Sequence, residues 1–453
     1  MRTPLLPLCL TLVACASAGT TPVPPVTTDA PATPALIEDD WPAALTRGKS
    51  LDRPVFVDMW APWCHSCLAL KAEVLTDPAL APIADDFVWA ALDSERASSA
   101  DFIARFPLPA LPTLWVIDPR SETPIVRWVG TMTAPQLVEL LADARAAYRG
   151  HGEALDATAS LLEGDAKAAA GDHDAAIAAW RRALDSSPAD WPKRGRAANA
   201  LAFALARAGR NAECAALALA ELPRTAPRST GRADLAIGGV GCAAALEGEA
   251  KASALAVLVP EARAIAEDPA VLGDDRSGAW IGVIDGLEAL GDKDGAAKAA
   301  AAWSALLDDL AARAPSPAAR VIYDSHRMSA YLEIGQGERA LPMLERSQRD
   351  FPNDYNPPAR LAYTLLQLGR LDEALAASAR AEALVYGPRS LRVLSVRADI
   401  LEKRGDAAGA IAAIDRALAV AASLPEAQRP ARLVKTLSDR RAALAATSPV
   451  PAP

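Results

Sequence analysis

Histidine is scarce in this 453-residue chain, with four in all, and aromatic residues make up only 5%. No block of Lys and Arg with interleaved aromatics occurs, and acidic residues outnumber basic ones by 56 to 47. Each shortage excludes something. Phosphate backbones are gripped by clustered positive charge, so nucleic acid is not an expected partner. A structural zinc site needs four Cys or His ligands. Cys64 and Cys67 form the one Cys-x-x-Cys pair, with neither a second pair nor enough histidine to complete such a site. A c-type haem needs His directly after the second cysteine, where Leu68 stands. No metal, and no cofactor beyond a dithiol/disulfide, is expected.

What is abundant is apolar and small. Hydrophobic residues reach 51%, ample for a packed core, and alanine, the best helix former, dominates long stretches. At roughly 150 residues per domain the length suggests about three domains.

The N-terminus has one early positive charge, Arg2, then an apolar run from Leu5 to Val13. That run is far short of the roughly 20 residues that span a bilayer and suits an export signal. Leu12-Val13-Ala14-Cys15 resembles the lipobox of bacterial lipoproteins. The resemblance implies a signal over residues 1–15, lipidation at Cys15 and a lipid-anchored periplasmic protein. Ala16 is not the Asp that retains such proteins at the inner membrane, so the outer membrane is the expected location. Residues 16–36, rich in Thr and Pro, read as a tether.

Over residues 37–149 the pattern alternates. Pro54 to Trp60 is an apolar run broken by Asp58, and Phe87 to Leu92, Thr113 to Ile117 and Ile125 to Val129 read as further strands. Helices are expected from Leu68 to Val74, Ser98 to Phe106 and Ala134 to Tyr148, which predicts an α/β sheet covered by helices. The dithiol falls where a strand hands over to a helix. There the free N–H groups and the macrodipole favour a thiolate at Cys64, the nucleophile of disulfide exchange. Cys67 follows one turn later, placed to attack a mixed disulfide. His65 adjoins the nucleophile.

The segment Val57-Asp58-Met59-Trp60-Ala61-Pro62-Trp63-Cys64-His65-Ser66-Cys67, with Leu111-Pro112-Thr113 and Gly130, resembles the thioredoxin family. With Lys71 and Thr76-Asp77-Pro78 it looks most like the C-terminal thioredoxin domain of the bacterial transmembrane disulfide reductase. The resemblance implies that Cys64 attacks and Cys67 resolves, that Asp58 is a buried proton-handling carboxylate, and that Pro112 is cis beside the dithiol. It also implies that Trp63, His65 and Leu111 contact the client. Where many members of the family carry a lysine partner for the aspartate, this chain has Trp89 or Ala90. His65-Ser66 replaces the family's usual Gly-Pro.

From residue 154 to about 445, helix-length segments alternate with Gly-containing turns. Gly335, Gly369 and Gly405 are 34 and 36 residues apart, and small residues recur five and twelve positions after the turn glycine, as at Ala374 and Ala381. This pattern resembles the tetratricopeptide repeat. The fold class expected is therefore an α/β thioredoxin fold followed by an all-α solenoid of about seven hairpins, irregular between Arg224 and Ala314. Such arrays bind partner proteins. Cys214 and Cys242 lie on successive predicted helices. They either bridge in an oxidising compartment or stay two buried thiols.

Together these readings predict a periplasmic, membrane-tethered thiol–disulfide oxidoreductase. Its substrates would be client proteins carrying disulfides or thiols, a separate protein would donate or accept electrons, and another would bind the repeats. The alternative is an interaction scaffold whose redox domain is a docking or sensing module.

Overall fold

The structure, a computed structural model, describes residues 34–150 and 156–447. The signal-like segment with Cys15, and the tether up to residue 33, lie outside the described residues. The described residues all fall in one compact unit.

The redox lobe is a five-stranded sheet of β1 (Leu36–Glu38), β2 (Val55–Trp60), β3 (Val88–Asp93), β4 (Thr113–Asp118) and β5 (Thr123–Val129), in the order β1-β3-β2-β4-β5. β3 runs parallel to β1 and β2, whereas β4 runs antiparallel to β2 and β5. The helices are α1 (Trp41–Leu51), α2 (His65–Ala69, continued by a π-helical turn Leu70–Val74), α3 (Ala81–Ala84), α4 (Ala100–Arg105) and α5 (Ala134–Tyr148). Val55, Val57 and Met59 pack with Trp41, Phe102 and Trp115 on one face of the sheet. Phe56 packs with Leu70, Leu114 and Leu137 on the other. A strand buried on both faces reads as an unbroken apolar run, and alternation puts Asp58 on the face of Phe56.

Two features escape the sequence pattern. β1 and α1 add an edge strand and a helix that no periodicity announced, so the expected tether ends inside the sheet. The helix after the dithiol starts at His65 rather than Leu68, because Cys64 itself caps it.

The remainder is helical. α6 (Asp156–Ala169) pairs with α7 (His173–Ser186), α8 (Arg194–Arg207) with α9 (Asn211–Glu221), and α10 (Thr230–Ala244) with α11 (Gly248–Glu267). α12 (Gly273–Ala289) pairs with α13 (Lys293–Arg313), and the short α14 (Pro317–Val321) leads to α15 (Asp324–Glu333) with α16 (Ala340–Asp350). α17 (Asn356–Gln367) pairs with α18 (Leu371–Leu384) and α19 (Arg389–Lys403) with α20 (Ala407–Ser423), before the final α21 (Ala431–Thr447). Gly171, Gly291 and Gly405 end helices at φ +83°, +78° and +79°, a left-handed conformation that glycine adopts without strain. The residue after each is Asp172, Asp292 or Asp406, whose side chain accepts the amide of Ala175, Gly295 or Gly409 and starts the next helix. Ala176, Ala183, Ala374, Ala381, Ala410 and Ala417 are fully buried, so adjacent helices meet closely. The stretch from Arg224 to Ala314 is irregular because α11 and α13 run to 20 and 21 residues. Its helices also meet closely at glycine: a Cβ on Gly239 would lie 2.6 Å from Cβ of Ala218. Among the described residues no helix is long and apolar enough to cross a membrane.

Candidate active site at the lobe–array junction

Cys64 is the N-cap of α2, and its Sγ accepts the Cys67 N–H at 3.1 Å. The two cysteines are disulfide-bonded. Cys64 is 6% exposed and Cys67 is fully buried, an asymmetry that leaves Cys64 the more accessible of the two. They pack with Ala61 against Trp60, Trp63 and Leu111. The Leu111–Pro112 bond is cis, and the Pro112 carbonyl accepts the Gly130 N–H at 2.9 Å, which ties the loop to the end of β5.

Asp58 is fully buried, and both of its carboxylate oxygens lack a hydrogen-bond partner. Burial raises its pKa to about 7, opposed by the charge of Lys71. The lysine missing near Trp89 is thus replaced from another element, the π-turn after α2. Lys71 Nζ lies 3.4 Å from the centroid of the Trp60 ring, and burial pulls its own pKa down, while Asp58 is the leading opposing charge. Asp58 therefore has a cation nearby after all.

The array closes on this site. His65, expected on the client-facing surface, is instead buried against it. His65 Nδ1 donates to the Ile322 carbonyl at 2.5 Å, since a carbonyl can only accept. Nε2 lies 2.6 Å from Asp274 Oδ1 in α12. The His65 ring stacks on His326 at 3.8 Å and meets Tyr323 edge-on at 5.7 Å. Burial opposes ionisation of Asp274, but His65, His326 and Ser66 together outweigh it, and its pKa lies below the usual carboxylate value. One carboxylate of the array thus serves both residues between the cysteines. Burial, followed by His65, drives the His326 pKa down to about 3. Trp303 Nε1–H donates to Ser277 Oγ at 2.7 Å. The Ser277 hydroxyl is then free to donate to neutral His326 Nδ1 at 2.8 Å.

On the other flank, Trp63 Nε1 donates to Glu95 Oε1 at 2.7 Å, and the Arg389 amide donates to Glu95 Oε2 at 2.6 Å. The Arg389 guanidinium lies 4.8 Å from the centroid of the Trp63 ring. Asn356 Nδ2 donates to the Pro62 carbonyl at 3.2 Å, Tyr386 to Asp93 at 2.5 Å, and Gln428 to the carbonyls of Ser94 and Arg96 at 2.9 and 2.7 Å. Part of the array surface is therefore covered by the chain's own redox lobe.

Of the two arrangements open for Cys214 and Cys242, the structure has the bridge, joining α9 to α10. His173 is the exposed first residue of α7. Sequence reasoning missed Asp274, Glu95 and the role of Lys71 toward Asp58. For Lys71 the signal was its position one turn after Cys67. For Asp274 and Glu95 there was none: Asp274 meets His65 from a different lobe, and Glu95 meets Trp63 32 residues away and Arg389 294 residues away.

Residues 36–119 match the thioredoxin-like family model. No curated protein matches the chain. Among solved structures, a tetratricopeptide repeat protein from Parabacteroides merdae is 12% identical with a TM-score of 0.39, covering 63% of this chain and 100% of that one. A thermophilic TPR protein of Thermus thermophilus is 17% identical, with a TM-score of 0.23, covering 64% and 99%. The TPR2AB domain of yeast Sti1, solved in complex with pHSP90, is 16% identical, with a TM-score of 0.25, covering 63% and 98%. Residues 36–119 thus lie in a thioredoxin-like α/β domain, and an array of helix pairs follows it.

Proposed function

We propose that the chain is a thiol–disulfide oxidoreductase acting on protein clients. The observation that carries this reading is Cys64 at the start of α2, its sulfur accepting the Cys67 amide, with a carboxyl that titrates near pH 7 buried in the same lobe. The Cys64 thiolate attacks one sulfur of a client disulfide. That S–S bond breaks, a mixed disulfide forms, and the leaving thiolate takes a proton. Cys67 then loses its proton, with Asp58 as acceptor, and attacks Cys64 Sγ. The client leaves as a dithiol, two electrons have passed to it, and the Cys64–Cys67 bond is restored. A dithiol donor protein resets the cycle; run in reverse, the same steps oxidise a client. Leu111 pairs with the client backbone by strand addition.

The protein is exported and held by lipid on Cys15 at the periplasmic face of the outer membrane. The lipobox-like Leu12-Val13-Ala14-Cys15 supports this, as does a Cys214–Cys242 bridge suited to an oxidising compartment. An intact mass of membrane-extracted protein that starts at a residue other than Cys15 overturns the anchor.

Removing the resolving thiol tests the redox reading. A Cys67→Ser variant accumulates mixed disulfides with clients through Cys64, visible as reductant-sensitive adducts. Absence of adducts, with loss-of-function fully rescued by the Cys64→Ser, Cys67→Ser double variant, favours the interaction scaffold instead.

A further inference from the structure

The loop that carries Pro112 is flanked by two hollows. One is lined by Trp63, Glu95, Leu108, Leu111, Pro388 and Gln428. The other, of about 290 Å³, lies between β5 and helices α7, α8 and α10 of the array. Ala110 and Leu111 line both, so a client strand held at Leu111 has the second hollow within a side chain's reach.

Most of that second wall is apolar, with Leu111, Val129, Ala200, Phe203 and Ile237 contributing. Four charged residues also line it, and only Asp165 and Arg196 form an ion pair with each other. Asp165 pairs with Arg196 and accepts Trp180 Nε1–H at 3.2 Å. Arg196 also lies 5.5 Å from the centroid of the Trp128 ring. Arg127 donates to the Ala168 carbonyl at 3.0 Å. Asp234 is the acid of the wall without a counter-ion. Asn199 Nδ2 donates to its Oδ2 at 3.1 Å, and no cation stands within ion-pair distance among the described residues. It abuts the loop after β5, where a Cβ on Gly130 would come within 3.1 Å of Oδ2. Burial, reinforced by Asp275 and Asp274, raises its pKa well above the usual carboxylate value. A carboxyl short of a counter-ion gains most from a cation, and apolar walls suit a cation carried on an aliphatic stem.

We propose that this hollow, built jointly by the redox lobe and the repeat array, is a selectivity pocket for a lysine or arginine side chain lying close to the client's cysteine. The stem packs on Phe203 and Ile237, and the charged end pairs with Asp234. The pocket rests on the redox reading above, because it acts only on a client engaged by Cys64.

The test uses the reduced full chain and a series of disulfide-bonded peptides that differ only beside the cysteine: lysine, norleucine or glutamate. A small aromatic disulfide too compact to reach the pocket serves as reference. The lysine peptide reacts roughly tenfold faster than the norleucine peptide, a gain of about 1.4 kcal/mol, and glutamate is slowest. Asp234→Asn brings lysine to within about twofold of norleucine and leaves the small disulfide unchanged. Ala200→Trp, which fills the hollow, slows both of the faster peptides and spares the small disulfide. Norleucine reacting as fast as lysine, or a lysine preference that survives Asp234→Asn, overturns the pocket and points to a plain apolar subsite. Failure of the small disulfide to react at all overturns the redox reading, and the pocket with it.

Discussion

Asp58, the proton acceptor of the proposed cycle, also carries a stability cost. Its folded pKa of about 7 lies above the ordinary value of 3.8. Below pH 3.8 both states are protonated and no cost arises. Between pH 3.8 and 7 the unfolded chain ionises first, so the folded state holds the extra proton and stability falls as pH rises. Above pH 7 the cost is constant, on the order of 4 kcal/mol as an upper bound. Asp58→Asn is therefore more stable than the parent at about pH 8, and the gap closes toward about pH 4, as denaturant unfolding at the two pH values measures. The same variant resolves mixed disulfides more slowly. No stability gain at the higher pH contradicts the burial argument. At this scale the burial of Asp58 and the place of Cys64 and Cys67 at a helix start were legible because each sits in a dense local motif. Asp274 was not: an aspartate in α12 carries no local mark of the imidazole it meets.

At the scale of elements, the Gly-Asp turns were readable because glycine and the capping aspartate are adjacent in sequence and act within one turn. The strands were readable by their apolar runs. β1 and α1 were not: three edge residues and a helix with few apolar positions leave no period to detect. The segment Leu70–Val74, which carries Lys71, was expected as helix, and only its π-helical winding was hidden. The Cys214–Cys242 bridge staples α9 to α10 across a separation of 28 residues, which constrains the unfolded chain by about 3–4 kcal/mol in the loop-entropy account. A Cys214→Ala, Cys242→Ala variant loses stability of that order in chemical denaturation while its Cys64–Cys67 chemistry persists. An unchanged midpoint contradicts a structural role.

Across the whole molecule, composition and period revealed two modules but not their embrace. Module boundaries follow from local pattern, whereas the junction depends on side chains brought together only by folding. Gly387 marks that junction. It adopts φ +60°, and a Cβ there would sit 1.9 Å from the Glu95 carbonyl oxygen. Gly387→Val overpacks the contact at a cost of about 1–3 kcal/mol and frees Trp63 from its array partners. Its thermal midpoint falls, and iodoacetamide alkylates reduced Cys64 several-fold faster. A midpoint and alkylation rate equal to the parent's contradict the view that the array covers the dithiol.

The measurement that bears most directly on the account is the pH dependence of Cys64 alkylation in the reduced full chain. A thiol at a helix start, beside an imidazole held by Asp274, ionises at least about one pH unit below the free cysteine value of roughly 8.5, and Asp274→Asn shifts that midpoint. A midpoint at or above about 8.5, indifferent to Asp274→Asn, contradicts both the reactive thiolate and the array's part in it.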